Sequence, residues 1–215
     1  MKKIWFIQFI HSITGSTMIE LMAVLAIMGM GIAWLLETIW SGIYFAKDTE
    51  NNIKAINLAR EWIEWVINIR DTNWLRFSGD RVNCWRTKDY NGWCINDSSF
   101  VWLIASGSYT IFTRNGAWVL SGATQIDPTA NWNGYANMYM VGLDSGGFFT
   151  QTGVTTTQWC SNQTQTGCLT VFAREISLTV IGTGTMNVKS IIRWQERRPM
   201  SVILDTTLTN WKSNF

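Results

Sequence analysis

The sequence predicts an α+β fold in which one long N-terminal helix lies across an antiparallel β-sheet, and three observations carry that expectation. First, Glu20 is the only ionisable residue between Met18 and Leu36. At the helical rise of about 1.5 Å per residue this stretch spans about 28 Å, close to the hydrocarbon thickness of a bilayer. Second, Ile53, Ile56, Ala59, Ile63, Val66 and Ile67 recur at three- and four-residue steps, with Lys54, Arg60, Glu61, Glu64 and Arg70 elsewhere on the turn. That is the pattern of an amphipathic helix. Third, beyond about Asn73 the apolar period changes from 3.6 to 2.

No proline lies between Met1 and Asp127. One helix from about Ser16 to about Ile69 is therefore allowed, about 80 Å long, its first half in lipid and its second half on a globular head. Asp71, Thr72 and Asn73 are weak inside a helix and good turn formers, which makes them the expected exit. Gly29, Gly31 and Gly42 are the soft points of the first half, read equally well as close packing between membrane helices.

Ahead of the apolar run, Lys2 and Lys3 open a segment whose Ile4-Trp5-Phe6-Ile7 is soon broken by Gln8, His11 and Ser12. It has neither the clean apolar core nor the small-residue cleavage site of a secretory signal peptide. Its positive end stays cytoplasmic by the positive-inside rule, which puts the head outside. A carboxylate at membrane depth costs about 2.5 to 3.5 kcal/mol on insertion scales, so Glu20 is by default a functional residue with a partner.

Gly15-Ser16-Thr17-Met18-Ile19-Glu20-Leu21, a glycine followed by a short polar step into an apolar helix, resembles the prepilin processing motif of type IV pilins and type II secretion pseudopilins. Gly, Thr, Glu, Leu and the apolar helix all fall in register, and Ser16 departs from the usual Phe. The resemblance is strong over about residues 1 to 75 and rests on general layout beyond. It implies a pilin-like fold, cleavage between Gly15 and Ser16 by a prepilin peptidase, and methylation of the new N-terminus at Ser16. It also makes Glu20 mature residue five, paired with the α-amine of a neighbouring subunit. The domains expected are a leader (1–15), a transmembrane and filament-core helix (16–45), the amphipathic second half (46–75) and a β-rich extracytoplasmic head (76–215).

In the head, Phe100 to Ile104, Tyr109 to Thr113 and Ala117 to Leu120 read as strands, the last two joined by an Asn115-Gly116 turn. Tyr135 to Val141 and Leu169 to Phe172 are weaker candidate strands. Ile176 to Ile181, Val188 to Trp194 and Ser201 to Leu208 form a closing meander, with Gly182 and Gly184 in one turn and Arg197-Arg198-Pro199 in the other.

A net charge of +2 with no run of five basic residues gives no nucleic-acid tail. The four cysteines, Cys84, Cys94, Cys160 and Cys168, all follow the apolar run, which fits oxidation outside the cytoplasm. Of the three possible pairings, Cys84 with Cys94 and Cys160 with Cys168 is preferred, because each pair sits alone in its own Gly/Asn/Thr-rich loop. Zinc is the rival reading, but neither spacing is CxxC and His11 is the only histidine. Asp127 and Asp144, each near glycines, are a weak candidate for calcium without a D-x-D-x-D-G ladder, and a solvated turn is the better reading. No GxSxG, HExxH, P-loop or GxGxxG is present, so no enzyme and no organic cofactor is expected.

The expected function is therefore structural: a subunit held in a bacterial cytoplasmic membrane, cut by prepilin peptidase, and passed by the assembly platform into an extracellular pilus or pseudopilus beside other pilin subunits. The alternative is a minor pilin whose head binds a surface or ligand. The fourteen tryptophans bear on that choice. They read either as an aromatic-rich adhesive surface or as UGA codons in a cell that reads UGA as Gly. On the second reading Trp34, Trp40, Trp62 and Trp65 are the first candidates and Trp74 and Trp211 are genuine. The segment Ala59 to Trp65 resembles a family segment with Gly at one or both Trp positions.

Overall fold

The computed structural model describes residues 17–88, 94–95, 103–114, 117–151, 159–160 and 167–210. The chain forms two compact units, 1–51 and 52–215, and each is described by itself. Helix α1, Thr17–Arg76, contributes to both.

In the first unit, α1 is the whole of what is described. Its large apolar residues from Met18 to Phe45 are exposed, Met18 at 78% and Trp34 at 75%, and nothing in the unit covers them. Its most apolar window has a mean hydropathy of 2.2 and is 0% buried, so by length and composition the helix can cross a membrane. Thr38 and Thr49 donate their hydroxyls to the carbonyls of Trp34 and Phe45, at 2.8 Å each. This satisfies both hydroxyls within the helix.

In the second unit the rest of α1 packs on a seven-stranded antiparallel sheet. The strands are β1 (Gly107–Arg114), β2 (Ala117–Ala123), β3 (Met140–Leu143), β4 (Phe149–Thr150), β5 (Cys168–Ile181), β6 (Thr185–Gln195) and β7 (Pro199–Thr209). β5 is the hub: it pairs with β6 along one edge, and with β3 and then β1 along the other. β7 closes the meander against β6. Gly182 supplies the β5–β6 turn with φ of +67°, a left-handed conformation that costs glycine nothing. Pro199 sits at the first position of β7, where a missing N–H is tolerated. A four-residue helix α2 (Arg81–Cys84) and an eight-residue helix α3 (Trp132–Tyr139) complete the elements.

The period-2 pattern sorts β5 and β6 by face. Phe172, Ile176 and Leu178 with Val188, Ile192 and Trp194 turn toward α1 and form the core with Ala55, Leu58, Ala59, Trp62, Val66 and Ile69. Ala173 turns the other way, beneath Tyr135 and Tyr139 of α3.

Three expectations are corrected. The inward stripe of α1 is the Ala55 to Ile69 set just named, whereas Ile53 is 55% exposed and Ile56, Ile63 and Ile67 only flank the stripe. The helix does not leave at Asp71-Thr72-Asn73 but runs on to Arg76. Asn73 is fully buried and donates its amide to the Thr87 carbonyl at 2.9 Å, and Arg70 Nε holds Asp71 Oδ1 at 2.7 Å, so tertiary contacts override the turn propensity of these residues. Tyr135 to Val141 is not a strand: Asn131 caps Gly134 N–H at 2.9 Å and starts α3, and only Met140 onward is extended. Of the strand expected at Phe100 to Ile104, residues 100–102 lie outside the described residues, and Leu103 makes an isolated bridge to Thr87. The Asn115-Gly116 turn also lies outside them, although the Arg114–Ala117 pairing leaves two residues for it.

Candidate functional site

Gly15 and Ser16, the expected processing pair, lie outside the described residues. Glu20 is in the first turn of α1, surrounded by the exposed Met18, Ile19, Leu21 and Met22. A carboxylate there faces the free N–H groups at the positive end of the helix, a contribution of about 0.3 to 1 kcal/mol. That is well short of the about 2.5 to 3.5 kcal/mol cost of a carboxylate at membrane depth, so the helix end alone does not account for Glu20.

Both disulfides lie in the head. Cys84 joins Cys94, with Cα atoms 5.4 Å apart, and the pair packs with Phe77 and Leu103. Cys160 joins Cys168, with Cα atoms 5.1 Å apart, and Cys160 N–H donates to the Leu169 carbonyl at 2.9 Å. Loops this short gain about 3 kcal/mol each from the restricted unfolded chain. They fasten Cys94 to α2 and Cys160 to the start of β5.

Where α1 meets β5, Arg174 is fully buried. Its guanidinium carbon stands 3.3 Å from the centroid of the Trp62 ring and 5.3 Å from that of Trp65. Its one acidic neighbour in reach among the described residues is Glu61, with Nη1 to Oε2 at 3.9 Å, too long for a hydrogen bond. Nε, Nη1 and Nη2 have no hydrogen-bond acceptor, and neither does the Trp62 indole N–H. Burial holds the Arg174 pKa well below the ordinary arginine value and raises that of Glu61, which the arginine charge offsets in part. Each buried donor without an acceptor costs about 1 to 3 kcal/mol. Outward from this contact Trp65 and Trp118 stack at 3.7 Å, forming one wall of a cleft of 390 Å³ that Phe112 and Phe148 also line.

The opposite face of the sheet carries a second buried charge, and its donors and acceptors are matched. Glu175 of β5 accepts from Ser108 Oγ of β1 at 2.6 Å, from Tyr135 of α3 at 3.0 Å and from Arg193 of β6 at 2.8 Å. Arg193 also donates to the Tyr135 hydroxyl and lies over its ring. Burial, and then the Glu175 charge, push the Tyr135 and Tyr139 phenols up.

The weak calcium candidates are occupied by their own backbone. Asp127 Oδ1 accepts from Thr129 N–H at 2.8 Å and its hydroxyl at 2.7 Å. Asp144 Oδ1 accepts from the Gly146 and Phe148 amides at 2.8 and 2.9 Å. Both make local turns, and among the described residues no three His, Cys, Asp or Glu side chains gather for a metal.

Among the described residues of the head only Trp159, at 54%, is exposed, while Trp62, Trp85 and Trp194 are buried and Trp65, Trp74, Trp118 and Trp132 half-buried.

Sequence reasoning missed Arg174, Glu175 and Arg193. The available signal was an adjacent Arg-Glu pair, the only charges in its strand, which a period of 2 must send to opposite faces.

No family model, curated protein or solved structure matches this chain.

Proposed function

We propose that the chain is a pilin-like, non-enzymatic structural subunit, processed by a prepilin peptidase and assembled with other pilin subunits into a type IV pilus or pseudopilus. The observation that supports this reading is the division of one helix, Thr17–Arg76, into a bare apolar length, whose stretch from Met18 to Leu36 carries the single carboxylate Glu20, and a length packed on a sheet. In the membrane the bare length is solvated by lipid. In a filament the same surface becomes the packing surface between helices, and the Glu20 charge is met by the α-amine of Ser16 on a neighbouring subunit. The head then stands outside the cytoplasmic membrane, where the two disulfides of the head persist.

Coexpression with an active prepilin peptidase tests the reading. The intact mass should fall by the leader, residues 1–15. Gly15→Ala should slow the cut and Gly15→Leu abolish it, because the bond after Gly15 needs a small residue beside it. A chain left whole by the active peptidase, or cut elsewhere, removes this function.

A further inference from the structure

On the face of the sheet turned away from α1, the loop before α3 and strands β5 and β6 enclose an open cleft of 530 Å³, within the size range of small-molecule sites. Gln125, Asp127, Glu175, Ser177, Ile191 and Arg193 line it, and no tryptophan does. We propose that this cleft is a binding site for a neutral, hydroxyl-rich ligand, a glycan, with Arg193 and Asp127 as its principal contacts.

Among the described residues the hydrogen bonds of Arg193 all leave from Nη1, to Glu175 and to Tyr135. Nε and Nη2 form the other edge of the planar fork, and the cleft is where that edge can be used. Side chains from four elements set its direction: Ser108, Tyr135 and Arg193 converge on Glu175, whose side chain is only 7% exposed. A buried ion pair of this kind is weak as a source of stability, since apolar residues of the same volume serve as well. What the network does accomplish is to hold a guanidinium in one orientation at a cleft wall, the preorganisation a binding group needs.

Charge decides the ligand class. Glu175 cancels Arg193, and Asp127 adds an exposed carboxylate to the same cleft. An anion meets Asp127, and a cation meets the arginine fork. A neutral molecule with adjacent hydroxyls uses both, accepting from Arg193 and donating to Asp127. The carboxylate has acceptor capacity beyond the two bonds from Thr129. Ser177 and Gln125 can each donate and accept, and Ile191 offers an apolar patch to the C–H face of a sugar ring.

The test uses the full chain in a detergent without a sugar headgroup. Methyl glycosides of glucose, galactose, mannose and N-acetylglucosamine are titrated separately, with inorganic phosphate and choline as charged comparisons. At least one glycoside should bind saturably, and neither charged probe should compete with it. Asp127→Asn should weaken that binding by roughly tenfold, the worth of one charge-assisted hydrogen bond, with the thermal transition unchanged. Arg193→Lys, which keeps the charge and removes the fork, should abolish it. Where Arg193→Lys fails to fold, Asp127→Asn and Ser177→Ala decide, since neither residue is in the buried network. No saturable glycoside, full affinity in both of those variants, or displacement by phosphate or choline overturns the proposal. Peptidase processing is measured on the same samples, so failure here and failure of the subunit reading are told apart.

Discussion

Trp62 and Trp85 are both fully buried indoles, yet they sit in the core on different terms. Trp85 donates its N–H to the Thr183 carbonyl at 3.3 Å, while the Trp62 N–H has no acceptor and its ring is pressed against a guanidinium that has none either. An indole that belongs to a core is worth about 3 to 5 kcal/mol when truncated, and glycine inside a helix costs about 1 more. Trp62→Gly should therefore be ruinous if position 62 evolved as tryptophan. If codon 62 is UGA read as glycine, the sign reverses: the small residue frees Arg174 to turn toward Glu61, and the variant unfolds at a higher temperature and more sharply than the Trp chain. Trp85→Gly should destabilise in either case. The codons then follow, UGA at 34, 40, 62 and 65 and UGG at 74 and 211. Mass analysis of the tryptic peptide Glu61 to Arg70 from the source cell reads positions 62 and 65 directly. Tryptophan in that peptide, or a lower transition temperature for Trp62→Gly, ends the recoding idea.

At the scale of elements, α3 and the strands beneath it hold two phenols away from water. The Tyr135 and Tyr139 rings pack at a tilt with centroids 4.7 Å apart, and their hydroxyls reach Glu175 and the Thr124 carbonyl. An unfolded chain ionises its tyrosines near pH 10, whereas burial and the Glu175 charge hold these two protonated to higher pH. Above about pH 10 the unfolded state thus binds fewer protons than the folded state, and stability falls as pH rises. The expected result is a steep alkaline loss of stability, reduced in Tyr139→Phe, read by thermal melts across that range. Tyr139→Phe melts that parallel the parent at every pH would show that this phenol does not carry the effect. The same region shows what the sequence conceals. Tyr135 to Val141 has the aromatic and branched residues of a strand, and only the Asn131 cap, a single hydrogen bond, turns it into a helix. The closing meander was legible because its period-2 runs are bounded by Gly182 and by Pro199, residues whose backbone preferences admit few alternatives. The long helix was legible as an element, but its buried face was not. The buried stripe mixes the small Ala55 and Ala59 with the large Leu58, Trp62, Val66 and Ile69, and leaves Ile53, Ile56, Ile63 and Ile67 outside it, so residue size and hydrophobicity alone do not mark it. Of the candidate site, the cysteine pairs could be chosen from local composition. The Glu175 network could not, because its members come from four elements far apart in the chain.

For the whole molecule, the consequence of carrying Glu20 depends on the environment of the helix. In lipid the residue is a cost of about 2.5 to 3.5 kcal/mol, so Glu20→Val should insert at least as well as the parent and be cut by the peptidase to the same extent. In a filament the balance changes. On the subunit reading proposed above, a carboxylate facing the α-amine of the next subunit would set the axial register of one helix against its neighbour, because the apolar residues around it slide past one another with little preference. Valine keeps the apolar packing and removes the register. The variant should accumulate in the membrane as a processed subunit and be depleted from sheared filaments when coexpressed with the parent, by tenfold if the pairing is worth about 1.4 kcal/mol. A double variant that also acetylates or blocks the Ser16 amine should be no worse than Glu20→Val alone, since both changes remove the same pair. Parity of Glu20→Val with the parent in the filament fraction would mean that the heads, not the buried carboxylate, set the register.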